Sequence, residues 1–320
     1  MSREPPELSR EDDLSFLTPP GEVADWRMVA VFDAAAEVGL FEELPASPIE
    51  AAARLGLDER AVRILLDVLS VWGIVEELDG SYSMGPGWPP DRGEAATLRQ
   101  HAQVLRTWST QLGDRLRGTS PSPFEMPPER RRLWLEALAA RAREQAPLVV
   151  EACLRRFPDA RRVLDLGGGH GEHARAFAQR GLSVVLQDLE PTIELLKSSD
   201  LPHSGVELFA GDFFETLPAT RFDLVLCAGV THTYDSTHNR LLYRRLASTI
   251  APVGGLAIVT FLPERDPRAS IFAVQMLAVS TGGNAHEEND YREWLRAEGY
   301  REPEIQSLGD SPNFLLLAPR

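Results

Sequence analysis

The chain has 320 residues, 43% of them apolar, and a formal charge of −15 at neutral pH. That length accommodates one large domain and a smaller one. No run approaches the roughly 20 apolar residues of a membrane span, and so negative a chain excludes a nucleic-acid backbone as its main partner. Cys153 and Cys227 make neither a disulfide framework nor a metal-ligand spacing, as suits a reducing compartment. Met1–Pro6 is charged and Pro-rich, without the apolar core of a signal peptide, so the expected location is cytoplasmic.

In chain order, residues 1–22 are polar and Pro-rich and read as an N-terminal arm. From 23 on, Trp26, Val29, Ala30, Phe32, Ala36 and Leu40 recur at helical spacing. A short helix over 48–57 closes at Gly56, and Asp58 is placed to cap a third helix over 58–69. Gly73–Met84 predicts a small hairpin turning at Asp79-Gly80. Three helices and a hairpin spell a winged-helix module over 23–92. Such a module binds DNA or serves as a dimerising scaffold. Between Phe41 and Gly80 there are nine acids against three arginines. A recognition helix carrying Asp58, Glu59 and Asp67 repels phosphate, which favours the scaffold.

Residues 93–156 predict two long helices, about 93–117 and 129–156, around a Pro- and Ser-rich loop. They form a helical linker, with His101, Trp108, Phe124, Met126 and Trp134 as candidate pocket walls. The last segment, 157–320, alternates strands with helices. Strands are expected at 162–166, 183–187, 206–209, 222–227, 255–261 and 312–318. A further strand-like stretch at 299–308 suggests a terminal antiparallel hairpin. Parallel strands joined by helices give a doubly wound α/β sheet that binds ligands at its carboxyl ends.

Val163–Gly171, V-L-D-L-G-G-G-H-G, is the centre of that segment. An apolar strand ends in Asp165, and Gly167, Gly168, Gly169 and Gly171 follow before a helix. Glycines let the chain turn tightly with positive φ and let a ligand touch backbone. The next strand ends at Asp188, where a carboxylate can accept from both ribose hydroxyls. His170 and His173 stand three apart, but no third ligand shares their spacing, so no metal is expected.

Read together, the glycine loop, Asp188, Gly211-Asp212-Phe213, Thr231-His232-Thr233-Tyr234-Asp235, Ala251–Gly255 and Gly282-Gly283 before Tyr291–Tyr300 resemble a family. It is that of the S-adenosylmethionine-dependent small-molecule O-methyltransferases of plant caffeate and bacterial polyketide type. The resemblance covers about 25–318. It implies a Rossmann-like class I methyltransferase domain at 157–320, preceded by a mostly helical winged-helix dimerisation domain, hence a homodimer. It also implies S-adenosylmethionine as cofactor, with Asp165, Gly167, Gly168, Gly169 and Gly171 forming the loop under its methionine part. Asp188 and Leu189 would lie at the ribose, and Asp212 and Phe213 at the adenine. His232 would be the general base, and Trp108, Trp134, Phe272 and Met276 would wall a substrate pocket for an aromatic or polyketide-like metabolite.

The chain departs from the family around the base. It reads His232-Thr233-Tyr234 where His-Asp-Trp is common, and Ala228 stands where many members have lysine or arginine. The two acids that flank the base in plant members would fall near Val259-Thr260 and Ala285, and neither place is acidic. Asp235 is the remaining candidate to orient His232. These departures motivate an alternative in which the bound cofactor serves pericyclic, decarboxylation or hydroxylation chemistry instead of methyl transfer. A nicotinamide dehydrogenase would need only the glycine loop and leaves the other motifs unused.

Overall fold

Local chemistry sets the N-terminal elements. A computed structural model of the chain describes residues 26–86, 88, 92–120 and 126–320; the expected arm at 1–22 and Phe124 lie outside them. Helix α1 spans Trp26–Glu37, α2 Pro48–Leu55 and α3 Glu59–Val71. The Ser47 hydroxyl accepts from the Glu50 amide while the Glu50 carboxylate accepts from the Ser47 amide, a reciprocal cap that starts α2. Gly56, at φ 66°, ends it. Asp58 caps α3 by accepting from the Ala61 amide at 2.8 Å. Strands β1 (Val75–Leu78) and β2 (Ser81–Met84) pair antiparallel around Asp79 and Gly80, both at positive φ, as a two-residue hairpin demands. Phe32, Leu40, Leu66, Leu69 and Ile74 pack together as the core of this unit.

The chain forms two compact units that divide between Arg106 and Thr107, inside helix α4 (Arg92–Leu116). In the first unit Asp33 is 3% exposed and is met by Arg99 at 3.7 Å and by Arg106, both from α4. A buried carboxylate needs such partners; this ion cluster ties α4 to α1.

The second unit contains the end of α4, the long α5 (Pro128–Arg156) and a seven-stranded sheet. Its strands are β3 (Arg162–Leu166), β4 (Ser183–Asp188), β5 (Val206–Ala210), β6 (Phe222–Ala228), β7 (Ile250–Phe261), β8 (Glu304–Ser307) and β9 (Asn313–Pro319). Their order is β5-β4-β3-β6-β7-β9-β8. The first five are parallel, and β9 runs antiparallel to both β7 and β8. The helices between them are α6 (Glu172–Gln179), α7 (Glu190–Lys197), α8 (Ser236–Thr249), α9 (Arg268–Val279) and α10 (Glu288–Ala297).

Both faces of the sheet are covered, so its strands are apolar throughout. Val163, Val184 and Leu224 pack on one face with Val149, Cys153 and Phe177, while Leu164, Val185 and Val225 pack on the other with Tyr243, Leu246 and Leu295. One expectation is corrected. Strand β7 starts at Ile250, not 255, because Ile250 pairs with Phe222 before an irregularity in the ladder. The expected terminal antiparallel hairpin forms, with β9 beside β7 and β8 at the edge of the sheet.

Candidate active site

Strand order reverses between β3 and β6, and the carboxyl ends of β3, β4, β5 and β6 meet there, the place where open α/β sheets take ligands. The loop after β3 has Gly167 at φ 65° and Gly169 at φ 48°. A Cβ on Gly167 would lie 2.7 Å from Val230 Cγ2, and one on Gly168 2.7 Å from the Leu186 side chain. The Gln187 carbonyl accepts from the amides of Gly167 (2.8 Å) and Gly168 (3.3 Å), binding the loop to β4. Gly171, at φ 78°, then caps α6, whose first amide is met by the His170 ring.

Asp188, ending β4, holds the loop from the other side. Its Oδ2 accepts from the Gly169 amide at 2.9 Å and its Oδ1 from the Leu189 amide at 2.7 Å. Burial raises its carboxyl above the usual range, while those two amides pull it down. Leu189, at the start of α7, is half-exposed on the rim. Asp165 lies beneath the loop: it is wholly buried, and neither oxygen has a hydrogen-bond partner among the described residues. Burial pushes its carboxyl up to about 7; the Ala174 amide, near but outside hydrogen-bond geometry, opposes this, and the charge of Asp188 adds to it.

The third edge follows β5. The Gln187 side-chain amide donates to the carbonyls of Gly211 (3.2 Å) and Thr216 (2.8 Å), fixing the turn that carries Asp212 and Phe213. Asp212 Oδ1 accepts from the Phe214 amide at 2.8 Å. The Phe213 ring is 5.9 Å from Tyr234, edge-on, and its Cε1 lies near Gly167. The fold thus brings Gly167, Gly168, Gly169, Asp188, Asp212 and Phe213 to one end of the sheet. Carboxylate acceptors, glycine backbone and an aromatic face are the groups that hold a nucleoside. His170 has a different task. Its Nδ1 accepts from the Glu172 amide at 3.0 Å at the start of α6, and burial lowers it to about 3. His173 beside it is also buried, and lowered to about 4. No group of three or more His, Cys, Asp or Glu among the described residues could hold a metal ion.

His232 sits in a single 3-10 turn, Thr231–Thr233, just after β6. Its ring is 8% exposed, edge-on to Phe272 at 4.6 Å and 6.1 Å from Phe261. Phe261 and Phe272 themselves stack at 3.9 Å. His232 Nδ1 is buried without a hydrogen-bond partner among the described residues. Burial, then the nearby His286, lower the ring to about 3. Asp235 does not orient it. The Asp235 carboxylate caps α8 by accepting from the His238 amide at 2.9 Å and pairs with His238 Nδ1 at 2.7 Å.

What fixes the turn is a chain of hydroxyls and amides. Tyr291 Oη lies 2.8 Å from Thr260 Oγ1 and 3.1 Å from Thr231 Oγ1, and Asn239 Nδ2 donates to the carbonyls of Thr231 and Tyr234. His286 Nε2 donates to the Tyr234 carbonyl at 2.7 Å. Tyr291→Phe strands the two buried threonine hydroxyls and is expected to cost about 1–3 kcal/mol, to be read from urea unfolding against the parent.

The expected pocket walls divide. Trp108 Nε1 donates to Gln275 Oε1 at 2.6 Å, which sets the end of α4 against α9 beside Met276 and Phe272. Arg115 clasps the same helix by donating to the carbonyls of Leu277 and Ser280. Met276 is buried and Trp134 is half-exposed. It is Leu135, one residue further along α5, that reaches the glycine loop, its Cδ2 3.5 Å from where a Gly169 Cβ would stand. Leu135, Val230 and Gln187 escaped the sequence reading, and Tyr234 was read only as a departure from the family. Only Gln187 carried a signal, as a polar residue inside an otherwise apolar strand.

The O-methyltransferase domain family matches residues 121–301, more than half of the chain. The chain is similar to the 3-hydroxy-5-methyl-1-naphthoate 3-O-methyltransferase of Streptomyces sahachiroi, 27% identical over 300 residues, covering 84% of this chain and 85% of that protein. It is 28% identical to the mitomycin biosynthesis 6-O-methyltransferase of Streptomyces lavendulae over 316 residues, 90% of this chain and 89% of that one. The solved structure of PigF with SAH superposes with a TM-score of 0.76 at 20% identity, covering 98% of this chain and all of that one, and so shares the fold. The glycine loop, packed too closely on Val230 and Leu186 to admit side chains at Gly167 and Gly168, and the carboxylates of Asp188 and Asp212 beyond β4 and β5 fit S-adenosylmethionine. By its sequence match and its fold the chain belongs to the O-methyltransferase domain family and is an S-adenosylmethionine-dependent methyltransferase.

Proposed function

We propose that this enzyme methylates a hydroxyl of a small, flat, aromatic or polyketide-like metabolite, held against Trp108, Phe272 and Met276 with the acceptor oxygen at His232. The observation that carries this reading is the apolar niche of Phe261, Phe272 and His232, built from the end of β7, from α9 and from the turn after β6. Bound S-adenosylmethionine supplies an electrophilic methyl on a positively charged sulfur. In this reading Gly167, Gly168 and Gly169 take its methionine part, Asp165 supports the loop from beneath, Asp188 accepts from the ribose beside Leu189, and Asp212 and Phe213 take the adenine. The protein then acts chiefly by proximity and in-line orientation. The naphthoate and mitomycin named for the relatives are aromatic or polycyclic, which supports a flat acceptor.

We also propose that the N-terminal unit joins two copies. Trp26, Val71 and Leu78 expose large apolar side chains on it, and apolar surface of that kind marks interfaces. Light scattering at micromolar concentration is expected to give twice the chain mass; the chain mass alone contradicts the dimer. The methyl-transfer reading is tested with trideuteromethyl-labelled S-adenosylmethionine and a panel of hydroxyaromatics. A labelled methyl on oxygen, with matching S-adenosylhomocysteine, supports it; conversion of an acceptor without S-adenosylhomocysteine contradicts it.

A further inference from the structure

A base must take a proton and then hold it. The described surroundings of His232 offer nothing that would help it do so. Phe261 and Phe272 flank the ring, and Thr260 is engaged with Tyr291. Asp235 faces His238. The titratable group that acts on it, His286, has Nε2 committed to the Tyr234 carbonyl and would itself repel a charged ring. Tyr291, pushed up to about 12 by burial, stays neutral and shares its hydroxyl with Thr231 and Thr260. Among the described residues the charges that act on the His232 ring include no carboxylate. Protonation would therefore place an imidazolium, without a counter-charge, in an apolar niche beside a cofactor that already carries a positive sulfur.

Resting on the reading above, we propose that the enzyme takes acceptors whose hydroxyl is already ionised at neutral pH, that is vinylogous acids such as hydroxyquinones and enolised 1,3-dicarbonyls. His232 acts on them as a neutral N–H donor that positions the oxyanion. The acceptor loses its proton to water before it binds. The oxyanion lone pair forms the O–CH₃ bond, and the S–CH₃ bond breaks with its pair going to sulfur, which becomes neutral. No proton crosses the protein.

The ionisation of a simple phenol lies near pH 10. Passing its proton to a ring that burial and His286 hold neutral is strongly uphill. A vinylogous acid avoids that step. The buried imidazole then gives the anion a fixed hydrogen bond where water is excluded.

The test compares 2-hydroxy-1,4-naphthoquinone, an anion at neutral pH, with 2-naphthol, of similar size and neutral. Each is assayed for kcat/KM between pH 6 and 9. The quinone is expected to be methylated with a flat profile. Any turnover of 2-naphthol should be slower and rise about tenfold per pH unit, following its ionised fraction. His232→Gln keeps an N–H donor and is expected to lower kcat by about tenfold on the quinone without bending either profile. A 2-naphthol profile that is flat, or that bends near pH 6–7 and loses the bend in His232→Gln, overturns the proposal, because His232 is then a base. Turnover of neither probe also overturns it. S-adenosylhomocysteine binding, measured by calorimetry on the same protein, separates the two levels: retained binding leaves the cofactor reading standing, and its loss strikes that reading itself.

Discussion

Asp188→Ala is expected to weaken S-adenosylhomocysteine binding by at least about 100-fold, roughly 3 kcal/mol, because hydrogen bonds to a charged group contribute about 1.5–3 kcal/mol each. The substitution removes two kinds of interaction at once. In the free protein the carboxylate accepts from the amides of Gly169 and Leu189, so it fixes the loop and the start of α7. In the complex the same carboxylate is the proposed acceptor for the ribose hydroxyls. Asp188→Asn separates the two, since an amide oxygen can still accept from one backbone amide but carries no charge. It should fall between the parent and the alanine variant in calorimetric titration. A change below about threefold in both would show that the loop is held by Gln187 alone and that the ribose acceptor lies elsewhere.

The second large effect is on stability. Asp165→Asn is expected to stabilise the cofactor-free protein at pH 8 and to leave it nearly unchanged at pH 4. The buried carboxyl has no hydrogen-bond partner and is pushed up to about 7, against 3.8 for the exposed group. A folded value above the unfolded one means the folded state holds the proton more tightly. The stability Asp165 contributes is therefore fully present below about pH 4 and is lost as pH rises through about 7. Above that, the parent retains a buried charge that the asparagine variant lacks. The gap is several kcal/mol at the upper bound; even about 1 kcal/mol moves the midpoint by about 2–4 °C in a domain of this size. Thermal unfolding of both proteins at pH 4 and 8, compared as a difference, cancels the other titrating groups. A variant less stable than the parent at pH 8 contradicts the assignment and would mean that a partner satisfies Asp165.

Much of the fold was legible because its signals are local. Capping at Ser47 and Asp58, the turn at Asp79-Gly80, and apolar strands each followed by a helix are written in residues close together in the chain. They place β3, β4, β5, β6 and β9 within a position or two. The start of β7 was misplaced because Pro252 and Gly254 are turn residues by type, and their extended backbone is imposed by pairing of Ile250 with Phe222. The neighbour of β7 was equally hidden, since which strand of a hairpin enters a sheet depends on packing far along the chain.

The same division runs through the site. The glycine loop, Asp188 and Asp212 announce themselves by type and order. The surroundings of His232 do not. That Asp235 turns away to cap α8, and that Tyr291 joins Thr231 to Thr260 across 60 and 31 positions, follow only from the assembled sheet and helices. Trp134 was the natural choice on α5 by size. Helical phase instead exposes it by half and directs Leu135 at the loop.

The measurement that bears most directly on the whole account is native mass spectrometry of the purified protein with S-adenosylhomocysteine or NAD added, repeated on Asp188→Ala. The account predicts one S-adenosylhomocysteine bound per chain in the parent, none retained in the variant, and no uptake of NAD. Uptake of NAD, or of neither nucleotide, would contradict it and leave the glycine loop as structure alone.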